Sequence, residues 1–167
     1  RQRQMCIRDS YMVNDMAEKQ PNTRFEESGG GLYKIKGGIG HSDWSADGMQ
    51  PHLADKMLEY LDENKDSDKP FFLYMALTAP HIPLFPSKEF KGKSKIGDYG
   101  DLVMMIDDIV GRVNRKLKEI GKYDNTIVMF AADNGCAGYI NMDRINRKGH
   151  YPSYIYRGYK SHGWAGG

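Results

Sequence analysis

The middle of the chain alternates between amphipathic stretches and short, continuously apolar ones. Apolar residues recur every three or four positions over 51–64 and again over 99–120, which predicts two helices, the second closed by Gly121 as a C-cap. The runs Phe71–Leu77 and Thr126–Ala131 have the length of strands. Their unbroken apolar character is typical of strands covered on both faces, as in a parallel sheet.

A strand, a helix and a second strand in this order form a βαβ unit, whose strands are parallel and joined by a right-handed crossover. Residues Tyr11–Gln50, which are polar and rich in glycine, predict mostly loop with a short strand. The fold class we expect is therefore α/β, with part of a mixed, mostly parallel sheet flanked by helices.

Composition excludes several classes of function. The 167 residues fit one domain, and 24 basic against 22 acidic residues leave a net charge of +2, which gives no electrostatic case for nucleic-acid binding. No apolar run approaches the ~18 residues of a membrane-spanning helix, so no membrane partner is expected. Two cysteines, Cys6 and Cys136, cannot build a disulfide framework or a four-cysteine zinc site.

The first ten residues, Arg1–Ser10, have the character of a translated sequencing adapter joined to a gene fragment. We expect them to be non-native and take 11–167 as the protein proper.

Polar residues follow both predicted strands, where ligands bind in open α/β sheets. His81 follows the first strand, between Pro80 and Pro83, and Asp133 and Asn134 follow the second. Carboxylate and amide oxygens suit hard cations such as calcium or magnesium, and a histidine there could hold an anion or protonate a leaving group. A plain Asp-Asn-Gly turn and an incidental loop histidine are the alternatives.

Other charged residues leave two interpretations open. A cluster of basic residues near the end of the chain is either a solvated surface or a site for sulfate or phosphate; it comprises Arg144, Arg147, Lys148, Arg157 and Lys160. The acidic pair Asp107 and Asp108 is predicted to face solvent, as are His41 and His52.

Together these segments resemble the sulfatase family of the alkaline-phosphatase-like superfamily. The resemblance covers roughly 51–167 and depends on the order and spacing of short motifs: Lys69–Tyr74, Ala79–Pro83, Gly97–Asp101, Gly111, Asp124–Thr126, Asp133–Gly135 and Arg157–Lys160. It implies that 11–167 is the C-terminal half of a sulfatase catalytic domain with an incomplete alkaline-phosphatase-like sheet. It also implies a periplasmic, secreted or lysosomal protein.

The resemblance further implies hydrolysis of a sulfate ester by a formylglycine nucleophile with the help of calcium. Asp133 and Asn134 match two of four calcium ligands in the family. His81 matches the histidine that contacts sulfate and assists the leaving group, and Lys160 matches the lysine that binds sulfate.

The sequence departs from the family pattern in three places. It has no Cys or Ser followed by x-Pro-x-Arg, which is the motif that becomes formylglycine, and it lacks the early aspartate pair that completes the metal site. Trp164–Gly167 stands where members read towards Glu-Gly-Gly. We therefore expect the chain alone to be inactive. The alternatives are a phosphate- or phosphonate-ester hydrolase of the same superfamily, or a non-catalytic α/β module that binds a partner or an anion.

Overall fold

The computed structural model describes residues 10–14 and 16–167, so the predicted adapter segment, except Ser10, and Cys6 lie outside the described residues. Two small antiparallel sheets form near the start. In one, β1 (Met12–Val13) pairs with β2 (Met16–Ala17), and in the other, β3 (Thr23–Phe25) pairs with β4 (Gly38–Gly40). The glycine-rich start is thus mostly loop, as predicted, but with four short strands instead of one.

Both predicted helices are present: α1 spans Met49–Glu63 and α2 spans Asp98–Glu119. The C-cap prediction for α2 is also confirmed. Gly121 has a positive φ of 69°, and the Lys122 N–H donates to the Leu117 carbonyl at 2.9 Å, which closes a Schellman motif. A short helix, α3, which was not predicted, spans Met142–Arg147.

The core lies where α1 and α2 pack against each other. Its buried members are Ala54, Leu84, Phe90, Leu102, Met105 and Ile109. Met75 and Leu77 from the first predicted strand pack against this cluster, as do Ala79 and Ile82 from the loop that follows. The helix pair therefore supports the loop that carries His81.

The mixed α/β class is confirmed, but the predicted parallel sheet is not formed among the described residues. Neither Phe71–Leu77 nor Thr126–Ala131 has a hydrogen-bonded strand partner there. Burial alternates along the first run, as in an extended chain with one covered face. The outward Phe72 and Tyr74 are 83 % and 79 % exposed. The expectation of two covered faces is therefore wrong for this chain, because only the helix side is packed.

The second run is almost uncovered, with Ile127 87 % and Met129 82 % exposed. Large apolar side chains exposed on neighbouring positions are typical of surfaces that associate. Within residues 10–14 and 16–167, no helix is long and apolar enough to cross a membrane.

A buried carboxylate organises the entry to α2. Asp101 is fully buried, and its two oxygens accept hydrogen bonds from the backbone N–H groups of Gly92 at 2.8 Å and Ser94 at 2.6 Å. The carboxylate lies in the first turn of α2, where the helix dipole favours negative charge. Asp101 thereby fixes the loop that precedes the helix.

We predict that Asp101→Ala lowers the free energy of unfolding by ~2–4 kcal/mol, because it leaves two backbone donors without their acceptor. Asp107→Ala, an exposed change on the same helix, is the control and should stay within ~0.5 kcal/mol. Urea unfolding monitored by circular dichroism measures both. Equal stability of the two variants would contradict the role of Asp101.

The one-sided packing of Phe71–Leu77 gives a second prediction. Phe72→Ala, on the exposed face, should leave the unfolding free energy nearly unchanged and reduce self-association in sedimentation velocity. Met75→Ala, on the packed face, should cost ~2–3 kcal/mol through lost burial. A large loss of stability in Phe72→Ala would mean that this face is covered.

Candidate functional site

The loop after the first apolar run holds His81 by its own backbone. The His81 N–H donates to the Thr78 carbonyl at 3.1 Å, and the Thr78 hydroxyl accepts a hydrogen bond from Gln50 of α1. The bonds Ala79–Pro80 and Ile82–Pro83 are both cis. The His81 side chain is exposed, so it can meet a ligand from solvent.

A hydrogen bond fixes the orientation of the His81 ring. Its Nδ1 lies 2.7 Å from the Ile82 carbonyl oxygen. A carbonyl only accepts, so Nδ1 carries the proton. In the neutral ring Nε2 is then the bare nitrogen, and in the charged ring Nε2 carries the proton that can be given away.

The Asp133–Asn134 corner offers two oxygen atoms. Asp133 is exposed, and its carboxylate has no hydrogen-bond or ion-pair partner among the residues that the structure describes. The Asn134 Nδ2 donates to the Gly135 carbonyl at 2.9 Å, which leaves the amide oxygen as the available ligand atom. Two such oxygens fit a hard cation chemically, but they are only part of a ligand set.

Glycine is required at the next position. The Gly135 N–H donates to the Gly167 carbonyl at 3.2 Å, and a Cβ on Gly135 would lie 1.8 Å from the Gly166 carbonyl oxygen. Any side chain would therefore push the end of the chain away from this corner. The glycine explains how the last residues approach Asp133 and Asn134.

Lys160 reaches the same region through its backbone. Its N–H donates to the Cys136 carbonyl at 2.9 Å, two residues after Asn134. Nearby, the Arg157 guanidinium lies 3.9 Å from the centre of the Trp164 ring. The segment that carries Lys160 thus runs alongside the predicted metal corner.

Tyr139, in the segment that follows the corner, contacts the His81 loop. The Ile82 N–H donates to the Tyr139 hydroxyl at 3.3 Å, and the Tyr139 and His81 rings meet edge to face, with centroids 6.1 Å apart. Burial raises the pKa of Tyr139, and the hydrogen bond from Ile82 offsets this only in part. Burial also raises the pKa of Tyr99, at the start of α2, to about 12. Both phenols therefore stay protonated at neutral pH.

The structure thus links the three segments that carry the four predicted residues. The His81 loop contacts Tyr139, five positions after Asn134, and the Lys160 backbone contacts Cys136, two positions after it. Sequence reasoning missed Tyr139, because a single tyrosine in an irregular segment carries no periodicity or motif that would single it out. In the described ranges 10–14 and 16–167, no three His, Cys, Asp or Glu side chains gather as a metal site.

The remaining basic residues mostly bind the protein itself. Arg144 donates to the Ile96 carbonyl at 3.5 Å and Lys148 donates to the Lys95 carbonyl at 2.5 Å. These contacts favour a structural role for this part of the cluster over an anion site. Arg147 is exposed.

The acidic pair on α2 and the two early histidines were both predicted to face solvent, and the outcomes differ. Asp107 is exposed, as expected, and the half-buried Asp108 lies 3.5 Å from Arg115. His41 and His52 were expected at the surface, but both are half-buried and line a cavity of about 290 Å³. They were misjudged because the residues that cover them, such as Tyr11 and Glu18 at His52, come from irregular segments that have no periodicity in the sequence.

His52 belongs to a charged cluster beside that cavity. It stacks on Tyr11 with ring centroids 3.7 Å apart, and its Nε2 lies 2.7 Å from a Glu18 carboxylate oxygen. Partial burial opposes ionisation of Glu18, but hydrogen bonds from Lys56 and His52 outweigh it and lower the pKa of Glu18. This cluster ties the start of the chain to α1.

Comparison with known proteins gives a consistent result. The family model described as Sulfatase matches residues 9–164. The chain is 33 % identical over 120 residues to N-acetylgalactosamine-6-O-sulfatase of Bacteroides thetaiotaomicron, a match that covers 70 % of this chain and 23 % of that protein. It is 34 % identical over 120 residues to an arylsulfatase of Hemicentrotus pulcherrimus, covering 72 % and 20 %. No solved structure matches significantly.

A shorter match extends to mammals. The human N-acetylgalactosamine-6-sulfatase is 48 % identical over 68 residues, covering 41 % of this chain and 13 % of the human protein. The matched part of the chain spans about a quarter of the length of the bacterial relative, 23 %. Because the family model covers nearly all of the sequence, the predicted resemblance is confirmed: the chain belongs to the sulfatase family.

Proposed function

We propose that this chain is the later part of the catalytic domain of a calcium-dependent sulfatase that hydrolyses sulfuric esters. The observation that supports it best is the connection of three segments by direct contacts: Tyr139 to Ile82, and Cys136 to Lys160. These contacts join the segments that carry a histidine, a lysine and two oxygen ligands, which supports their use as some of the groups that sulfate-ester hydrolysis needs.

The four candidate site residues would have distinct roles in this reaction. Asp133 and Asn134 would hold the cation through their side-chain oxygens, together with ligands from outside these 167 residues. When bound, the calcium ion would supply positive charge against the sulfate oxygens. Lys160 would add a second positive charge on the sulfate. His81, with Nδ1 held by Ile82, would give its Nε2 proton to the departing alcohol oxygen.

The nucleophile of the proposed reaction is not among these 167 residues. Formylglycine forms from a Cys or Ser in x-Pro-x-Arg context, and no such motif occurs in the 167 residues. The full protein would therefore need a segment that carries this motif. The names of the relatives point to N-acetylgalactosamine 6-sulfate and aryl sulfates as substrate classes to be tried first.

The alternative within the superfamily is a hydrolase of phosphate or phosphonate esters. Zinc-dependent hydrolases favour histidine ligands, whereas this corner offers a carboxylate and an amide. The amide–carboxylate pair therefore favours calcium and the sulfatase function.

A chimera tests the proposal. The aligned segment of this chain would replace its counterpart in the Bacteroides sulfatase, and we expect the chimera to hydrolyse an aryl sulfate. In that background Asp133→Ala and Lys160→Ala should each lower kcat/KM by roughly 10²–10³-fold, because the first removes a ligand of the cation and the second removes a positive charge from the sulfate. Steady-state kinetics with circular dichroism as a folding check measures the effect.

Matched controls come from the same chain. Asp107→Ala and Lys88→Ala remove exposed charges that have no proposed role in the site and should change kcat/KM by less than about twofold, as ordinary surface changes do. A folded Asp133→Ala chimera as active as Asp107→Ala would refute the proposal. Faster hydrolysis of a phosphate ester than of the sulfate would favour the alternative.

A further inference from the structure

Tyr139 contacts the His81 loop in two independent ways. Its hydroxyl accepts a hydrogen bond from the Ile82 N–H at 3.3 Å, and its ring meets the His81 ring at an interplanar angle of 78°. The edge-to-face arrangement is the geometry that aromatic rings favour. One side chain thus engages both the backbone and the imidazole of this loop.

Ile82 passes this contact on to the His81 ring. Its N–H is held by Tyr139, and its carbonyl accepts from His81 Nδ1 at 2.7 Å. A histidine that binds or transfers a proton through one ring nitrogen is commonly oriented by a hydrogen bond at the other. Restraining Ile82 therefore restrains the direction in which His81 presents Nε2.

The residues before and after Tyr139 in the sequence are fixed by their own contacts. It lies in a 3-10 turn, Gly138–Ile140, whose last residue is only 6 % exposed. The backbone at Gly138 lies against the Tyr159 ring, since a Cβ there would be 2.7 Å from a ring carbon. The next residue, Asn141, caps α3 by accepting from the Arg144 N–H at 3.1 Å. The turn is therefore a firm support for the Tyr139 hydroxyl.

We propose that Tyr139 is a positioning residue that sets the orientation of His81 by holding Ile82. Tyr139 lies five positions after Asn134, in the segment that follows the Asp133–Asn134 corner. The importance of this orientation for catalysis rests on the proposed function. The contacts that hold Ile82 and His81 are a property of this chain whatever its function.

The test uses the 167-residue chain labelled with ¹⁵N. Tyr139→Phe keeps the ring and removes only the hydroxyl acceptor. We expect the Ile82 amide to exchange with solvent about fivefold faster, as loss of one typical hydrogen bond implies. We also expect the His81 ring nitrogens to move from the Nδ1–H tautomer towards a mixture of tautomers, which a purely structural role of Tyr139 would not produce. Tyr139→Leu, which removes the ring as well, should enhance both changes.

Tyr154→Phe is the matched control, because Tyr154 is 81 % exposed; it should leave both readouts unchanged. Amide shifts of α1 and α2 report whether each variant is folded. Unaltered exchange and tautomer in a folded Tyr139→Phe would overturn the proposal. So would an Nε2–H tautomer or a fast-exchanging Ile82 amide in the unaltered protein, and this readout needs no variant.

Neither readout requires a substrate. An inactive chimera with these signatures intact would reject the sulfatase proposal and keep the positioning role. If the chimera is active but the 167-residue chain shows neither slow Ile82 exchange nor the His81 Nδ1–H tautomer, only the positioning role is rejected.

Discussion

The packing of α1 against α2 is the contact on which the other parts of the molecule depend. Ala54 of α1 and Leu102 and Met105 of α2 are almost completely buried at this contact. Against them lie Met75 and Leu77, which lead directly into the His81 loop. Without the helix pair, Met75 and Leu77 would have nothing to pack against, because the opposite face of the first apolar run is open to solvent.

The elements that the sequence predicts well are those whose signal is local. The periodicity of α2 and the position of Gly121 predict a helix and its cap, since both depend on residues within a few positions of each other. The sheet could not be predicted in the same way. The run Phe71–Leu77 has the composition of a central strand, but a strand becomes part of a sheet only when partners lie beside it.

The candidate site shows the same division. The ends of apolar runs and short motifs single out His81, Asp133, Asn134 and Lys160, but they do not reveal what joins them. The joining contacts are a tyrosine hydroxyl on a backbone N–H and one backbone hydrogen bond between Lys160 and Cys136. Such contacts depend on the path of irregular segments, which no periodicity encodes.

The central proposal is that the segments that carry His81, Asp133–Asn134 and Lys160 form one site that binds a sulfate group. Titration of inorganic sulfate into the labelled chain, followed by amide shifts, tests it most directly. The account predicts that perturbations concentrate in 81–82, 133–139 and 157–162. Perturbations centred on the Arg144–Lys148 region, or spread evenly over basic side chains, would contradict it.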